Sequence, residues 1–235
     1  MENLPDFKKV LIFSGHPDDV DFGCAGATAK MTGEGKEVVY CIITNGEKGI
    51  QNVKVSNGDV VSIREKEQKA AAQAAGVSRA IFLDETDGVL ENTPEVRKKI
   101  VRTIRQERPD IVISFDPANS SFSNFYRFHR DHRMAGEAVF DAVYPAAGSE
   151  AFFPELMAEG FMPHQIKGML FFGSSNPDFF VDITETIARK IDALKCHVSQ
   201  IKDTKEMEKR IRERARDEGK KIGVEYAEGF RKLMF

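Results

Sequence analysis

Short apolar runs alternate along this chain with longer segments that have the composition of helices. The apolar runs that we predict to be buried strands are 8–14, 38–44, 80–83, 111–115 and 169–172. The segments that we predict to be helices are 23–35, 62–75, 93–107, 133–143, 182–196 and 202–221. This alternation predicts an α/β fold with a Rossmann-like, doubly wound, mostly parallel sheet flanked by helices in a single domain.

The composition fits one globular domain and narrows the class of partner. With 235 residues, 41% hydrophobic and 30% charged, the chain is expected to form one domain over 1–235, in which 202–235 is a charged helical extension. A net charge of -3 gives no reason to expect nucleic acid or an anionic membrane as a partner. The sequence leaves homo-oligomerisation open.

The cysteines and the start of the chain bear on the compartment. Cys24, Cys41 and Cys196 are odd in number and widely spaced, which favours free thiols in a reducing environment over a disulfide framework. Neither a secretory signal nor an apolar run of transmembrane length is visible. We therefore expect a cytoplasmic protein, with Cys24 as a packing residue.

The first predicted strand leads directly into the sequence SGHPDD at 14–19. His16, Asp18 and Asp19 therefore lie at the carboxyl end of a strand, where open α/β sheets bind their ligands. An imidazole and two carboxylates are costly to bury together unless a cation lies among them, and this donor set suits zinc with a fourth position left open. The alternative is a polar turn in which Asp18 or Asp19 caps the helix that follows.

A second histidine cluster follows the strand predicted at 111–115. A long loop leads to the sequence HRDH at 129–132, and a helix would place His129 and His132 on one face. Two histidine–aspartate clusters at the carboxyl ends of two strands predict a metal site. The remaining histidines, His164 and His197, are predicted to be ordinary surface residues.

These two motifs resemble those of the LmbE-like, or PIG-L, family of zinc-dependent N-acetylglucosamine deacetylases. The family's first motif, (A/P)HPDDE, is similar to GHPDDV at 15–20, and its second motif, HPDH, is similar to HRDH at 129–132. The resemblance extends over essentially the whole chain. Further family-like stretches are 44–47, 64–67, 87–88, 108–110 and 197–200.

The resemblance implies one Zn²⁺ per chain and a division of labour among the site residues. His16, Asp19 and His132 would bind the zinc. Asp18 would be the general base that activates the zinc-bound water, and His129 would stabilise the oxyanion of the tetrahedral intermediate. This assignment agrees with general zinc hydrolase chemistry, in which the metal acidifies a water and polarises an amide carbonyl.

The resemblance also implies supporting roles and shows two departures. Asp131 would hold a histidine tautomer, and Arg64 and Asp87 would contact sugar hydroxyls. Val20 stands where many family members have Glu, with Asp21 next to it as a partial substitute, and Arg130 replaces the Pro of the second motif. The missing Glu is not one of the family's metal ligands, so the departure at Val20 leaves the expected metal site intact.

The loop before the second motif is rich in aromatic side chains, namely Phe122, Phe125, Tyr126 and Phe128. These rings are suited either to stack on the face of a sugar or to pack the loop against itself, and the sequence does not separate the two roles.

We therefore predict a zinc-dependent hydrolase that removes the N-acetyl group from a small N-acetylglucosamine-type sugar or its conjugate. The alternatives are an amidohydrolase acting on a non-sugar acyl amide or thiol conjugate, and a carbohydrate-binding protein without catalysis. The presence of Asp18 counts against the latter, because binding alone needs no base. A nucleotide-binding module is a further alternative, but no GxGxxG sequence follows the first strand.

Overall fold

The computed structural model describes residues 4, 6–50, 56–119, 126 and 128–235. Within these residues, seven strands form one sheet in the order β3-β2-β1-β4-β5-β7-β6. The strands are β1 Lys9–Ser14, β2 Glu37–Thr44, β3 Arg79–Glu85, β4 Ile111–Phe115, β5 Gly168–Phe172, β6 Phe179–Asp182 and β7 Ala227–Met234.

The first five strands in chain order are parallel and carry the apolar core. β1 pairs with β2 on one side and with β4 on the other, so the chain first winds outward to β3 and then restarts beside β1. Apart from residues at its start, β1 is buried, as are β4 and β5 along their lengths. The doubly wound prediction is confirmed, and the switch in winding direction falls between β1 and β4.

Helices cover the sheet. They are α1 Asp19–Gly33, α2 Asn57–Ala75, α3 Pro94–Glu107, α4 Arg130–Asp141 continued by a π-helical segment Ala142–Ala147, α5 Pro154–Ala158, α6 Ile187–Lys195 and α7 Thr204–Lys220. α3 begins as predicted, with the side chain of Thr93 accepting the Val96 N–H. No described helix is long and apolar enough to cross a lipid bilayer.

The end of the chain corrects the predicted helical extension over 202–235. The charged helix α7 ends at Lys220, and Ala227–Met234 instead form β7, which lies between β5 and β6 and is antiparallel to both. Neither β6 nor β7 was expected. β7 lacks the period-two alternation of a half-buried strand and carries adjacent charges at Arg231 and Lys232, so its pattern does not resemble a strand.

β7 also completes the helix that leads away from the first motif. α1 leaves helical geometry at Cys24, which is fully buried as expected of a packing residue. Glu228 on β7 accepts the backbone N–H groups of Gly26 and Ala27, while Lys190 of α6 donates to carbonyls on the other side of the break. Lys190 and Glu228 are buried and pair at 2.6 Å, so each ion is compensated by the other and by the broken helix.

Candidate active site

The two predicted motifs meet at the switch point of the sheet. His16 follows β1, while His129 and His132 lie at the start of α4, after β4. They face an open cavity of about 360 Å³, within the range of small-molecule sites. Seven of the eight predicted site residues line it, namely His16, Asp18, Asp19, Arg64, Asp87, His129 and His132. The eighth, Asp131, is fully buried and contacts His16.

Three predicted metal ligands converge on one point. His16 Nδ1 lies 3.2 Å from Asp19 Oδ2 and 3.2 Å from His132 Nε2, and His132 Nε2 lies 3.1 Å from Asp19 Oδ1. All three side chains are buried. Two ring nitrogens and one carboxylate therefore lie together in a small buried region at the wall of the cavity.

The outer faces of the two rings determine which nitrogens carry hydrogen. His16 Nε2 lies 3.0 Å from carboxylate oxygens of both Asp131 and Asp87, and His132 Nδ1 lies 2.8 Å from the Tyr126 carbonyl. Both outer nitrogens must donate, so in the neutral rings the two inner nitrogens carry lone pairs. Two lone pairs and a carboxylate that face one another require a positive charge between them.

The electrostatics of His16 and Asp19 express the same requirement. Burial alone would lower the pKa of His16, but Asp19 and Asp131 outweigh it and hold that pKa well above its usual range. Burial opposes ionisation of Asp19, yet the neighbouring His132 and His16 hold the pKa of its carboxyl well below its usual range. A proton or a metal cation can supply the positive charge, and the two compete for the same nitrogens.

The spacing of the donor atoms fits zinc. Tetrahedral ligands at the usual Zn–N and Zn–O distances of about 2.0–2.1 Å would lie roughly 3.3 Å apart. The 3.2 Å between His16 Nδ1 and His132 Nε2 agrees with this value. Asp19 offers a different carboxylate oxygen to each ring, with Oδ2 3.2 Å from His16 Nδ1 and Oδ1 3.1 Å from His132 Nε2. His129 offers one more ring nitrogen within 4.8 Å of those of His16 and His132.

The rings are held in place by their surroundings. Asp131 accepts the backbone N–H groups of Gly88 and Leu90 at 2.6 and 3.1 Å, which fixes the carboxylate that orients His16. The ring of His132 stacks on Phe115 at the end of β4, with centroids 4.2 Å apart. These contacts fix both rings in the orientation that brings their inner nitrogens together.

Asp18 occupies the N-cap position of α1 without acting as a side-chain cap. Its backbone lies in the left-handed region with φ 97°, and its side chain makes no capping hydrogen bond. The carboxylate instead faces the cavity and lies 3.3 Å from Arg64 Nη2. Burial raises the pKa of Asp18 to about 6, with Arg64 opposing this rise and Asp19 adding to it. The capping alternative therefore does not describe this side chain.

His129 also lines the cavity, and within the described part of the chain its Nε2 has no hydrogen-bond partner. Its Nδ1 accepts the backbone N–H of Asp131 at 3.2 Å, so the neutral ring carries its hydrogen on Nε2. The side chain is exposed, and burial of its inner part together with His16 and His132 lowers the pKa of His129. A neutral ring with a free Nε2–H is a suitable hydrogen-bond donor to a developing negative charge.

Arg64 and Asp87 lie in the cavity wall, but each is also bonded to the protein. Arg64 is buried and donates to the carbonyls of Gly46 and Pro17 at 3.0 and 2.5 Å. Asp87 contacts His16, as described above, and accepts the backbone N–H of Lys48 at 3.0 Å. These contacts tie the loops after β2 and β3 to the first motif.

Sequence reasoning missed two side chains behind the site and misplaced a third. Neither Gln68 of α2 nor Asp21 of α1 was predicted to be a buried partner behind the site, yet both are fully buried and hydrogen-bonded to each other. The prediction that His197 is a surface residue is wrong, because it is fully buried against Asp21 at 2.8 Å. The family-like stretch at 197–200 was the available signal. Of the aromatic loop, Phe122 and Phe125 lie outside the described residues.

The fold and the site together are those of a metal-dependent hydrolase built on a doubly wound sheet. A doubly wound sheet presents two histidines and an aspartate at its switch point, with a further carboxylate beside them. The sequence profile of the GlcNAc-PI de-N-acetylase family, PIG-L, matches residues 11–143, and the chain belongs to this family.

Individual relatives agree with this assignment. The chain is 38% identical over 232 residues to a diacetylchitobiose deacetylase of Thermococcus kodakarensis, covering 98% of this chain and 85% of the relative. It is 30% identical to a probable N-acetyl-alpha-D-glucosaminyl L-malate deacetylase 2 of Bacillus anthracis, covering 82% and 81%. An inhibitor complex of N,N'-diacetylchitobiose deacetylase from Pyrococcus horikoshii superposes with a TM-score of 0.90 at 32% identity, covering 97% and 85%. The predicted family is confirmed.

Proposed function

We propose that this chain is a zinc-dependent N-deacetylase that hydrolyses the N-acetyl group of an N-acetylglucosamine-type sugar or its conjugate. One observation carries the proposal. The inner nitrogens of His16 and His132 and the carboxylate of Asp19 face one another at 3.1 to 3.2 Å, which is the environment of a bound cation. The relatives named above support the sugar as the substrate class.

His16, Asp19 and His132 are proposed to hold one zinc ion per chain, with Asp131 fixing the tautomer of His16. Bound zinc would supply Lewis acidity, which polarises an amide carbonyl and lowers the pKa of water to about 7. Neutral imidazole nitrogens and a carboxylate form a mixed donor set that zinc accepts readily.

Asp18 and His129 are proposed to carry the proton and charge transfers. The Asp18 carboxylate accepts a proton from the attacking water and later passes it to the leaving amine. His129 donates its Nε2–H to the acetyl oxygen as that oxygen gains negative charge. Both side chains line the cavity, and His129 carries a ring N–H that no described residue accepts, which supports these two roles.

The substrate contacts are part of the same proposal. Arg64 and Asp87 line the cavity, which supports their expected contact with sugar hydroxyls. The described aromatic residues Tyr126 and Phe128 flank the second motif, and Tyr126 OH lies 3.1 Å from Asp19 Oδ1. For the compartment, the three free cysteines support the cytoplasm.

A panel of substrates tests the proposal with the zinc-loaded protein. The panel contains N-acetylglucosamine, diacetylchitobiose, N-acetylglucosaminyl malate, an acetylated amino acid and an S-conjugated acyl cysteine. We expect equal amounts of acetate and free amine from one or more sugars, and release about 10²–10⁴-fold slower from the Asp18→Asn variant. Hydrolysis of the non-sugar amides alone would support the amidohydrolase alternative. Sugar binding without acetate would support a binding protein.

A further inference from the structure

A chain of hydrogen bonds runs behind the cavity and ends on the backbone of Asp18. His197 Nε2 lies 2.8 Å from Asp21 Oδ2, and Gln68 Nε2 donates to the same oxygen at 2.9 Å. Gln68 Oε1 in turn accepts the backbone N–H of Asp18 at 2.8 Å. His197, Asp21 and Gln68, here called the Gln68 relay, are all fully buried.

The direction of each bond in the Gln68 relay follows from its neighbour. An ionised carboxylate only accepts hydrogen bonds, so Asp21 requires donors from both His197 and Gln68. Gln68 must therefore turn its NH₂ group toward Asp21. Its carbonyl oxygen then faces Asp18 and accepts the backbone N–H of that residue.

This contact holds Asp18 in an unusual conformation. With φ 97°, Asp18 is a residue other than glycine in the left-handed region, a strained conformation that persists only when the surroundings enforce it. Arg64, one turn before Gln68 on α2, holds the other side by donating to the Pro17 carbonyl. The turn leaves the Asp18 carboxylate directed at the cavity instead of at the N-terminus of α1.

The Gln68 relay itself does not reach the cavity. None of its three side chains lines the cavity that His16, Asp18 and His129 face. Its members come from α1, α2 and the turn after α6, elements that apolar side chains would join at lower cost. A buried polar network that ends on one backbone N–H is suited to specify one backbone conformation.

We infer that the Gln68 relay positions the general base: His197, Asp21 and Gln68 hold the backbone of Asp18 so that its carboxylate meets the substrate water. This inference rests on the function proposed above and deepens it. The three residues are positioning residues, since they act through Asp18 and touch no reacting atom.

A double-mutant cycle between Gln68 and Asp18 tests this inference. Gln68→Met keeps the volume but removes both hydrogen bonds. We expect kcat for acetate release to fall about 10- to 100-fold with KM and zinc content unchanged, because a base displaced by about 1 Å loses most of its effect. The matched control is Gln73→Met, the same change at an exposed position of α2, which should leave kcat and Tm unchanged.

The cycle separates positioning from a general effect on the fold. In the Asp18→Asn background, Gln68→Met should change the residual rate by no more than about twofold, because the two changes remove the same contribution. If Gln68→Met lowers that residual rate by the same factor as in the wild type, the relay acts on the fold and the inference is overturned. Unchanged kcat in Gln68→Met alone would also overturn it.

Variants at the far end of the relay keep the test independent of Gln68. His197→Leu should lower kcat in the same direction, and His197→Gln should restore part of it, because a Gln amide can still donate to Asp21. Equal kcat for the two variants would contradict the relay. Full activity of Asp18→Asn would overturn the role of Asp18 as the base and with it the proposed mechanism. Impaired activity of Asp18→Asn together with full activity of Gln68→Met would overturn only the positioning role of the relay.

Discussion

Two buried clusters flank the start of α1, and both combine histidine with aspartate. The ligand cluster, His16, Asp19 and His132, faces the cavity, while Asp21 and His197 lie behind it in the Gln68 relay. In the ligand cluster the inner ring nitrogens lie 3.2 Å apart and both carry lone pairs. In the relay every contact pairs a donor with an acceptor.

The difference teaches what separates a metal site from a structural network. Both clusters contain histidine and aspartate side chains, and these side chains are buried in both. The outer hydrogen bonds of the rings are what differ, because in the neutral rings they leave both inner nitrogens of the ligand cluster as lone pairs that face one another. The ligand cluster therefore requires a positive charge between its donor atoms, whereas each of the three contacts in the relay already joins a donor to an acceptor.

The largest expected effect comes from removing one histidine of each cluster. His132→Ala should lose its zinc and its deacetylase activity together, because one of three protein ligands is gone. His197→Ala should keep about one zinc per chain, because the His197 ring contacts Asp21 and none of the three proposed zinc ligands. Elemental analysis after dialysis measures both. Zinc retained in His132→Ala, or lost from His197→Ala, would break the comparison.

Asp18→Asn tests the residue that joins the two clusters. Asn tolerates the left-handed region better than most residues, so the backbone and the zinc should be retained. The rate should fall by about 10²–10⁴-fold, because Asn cannot accept the proton.

The pH dependence of the same variant sharpens the assignment. Because the base must be ionised and the pKa of Asp18 is raised to about 6, the wild-type rate should fall as the pH drops through that region. The acid limb should be absent or displaced in Asp18→Asn. An unchanged limb would assign it to another group, and loss of zinc would make Asp18 a ligand.

A smaller effect is expected at His129, which borders the ligand cluster. His129→Asn keeps an N-cap acceptor for the Asp131 N–H but is too short to reach the acetyl oxygen. We expect kcat to fall about 100-fold with zinc content unchanged and a smaller change in KM. If the zinc is lost, His129 belongs to the ligand cluster, and the three-ligand description is wrong.

The sequence predicted the ligand cluster far better than the relay. His16 and Asp19 lie within four residues after an apolar run, and His132 lies in a second such motif, so local pattern and strand order suffice to bring them together. Gln68 bonds to Asp18 and Asp21, which lie 50 and 47 residues away in the sequence. His197 contacts Asp21 from 176 residues away. Local pattern carries no information about such pairs.

The sheet shows the same division between local and distant information. The parallel strands are continuous apolar runs because both faces are covered, so each is visible by itself. β7 is recognisable only through its neighbours β5 and β6, which supply its backbone partners. The position of β7 in the sheet is also what brings Glu228 to the backbone N–H groups at the break in α1.

The smallest expected effect is a pH dependence of stability from the relay. Burial alone would lower the pKa of His197, but Asp21 outweighs it, aided by the nearby Asp18 and Glu67, and the folded-state pKa is raised. A raised pKa stabilises the folded state fully below the unfolded value of about 6.5, and this stabilisation is lost as the pH rises through the folded value. His197→Gln removes the titration but keeps a donor.

Urea unfolding with zinc in excess measures the free energy of unfolding of the wild type and of His197→Gln. The wild type should exceed the variant by more at pH 6 than at pH 9, by a difference of order 1 kcal/mol. His164→Gln is the matched control. Burial lowers the pKa of His164, so the wild type should exceed that variant by less at pH 6 than at pH 9. The same slope for both histidines would mean that the Asp21 contact does not hold His197 charged, and the relay would then be a neutral network.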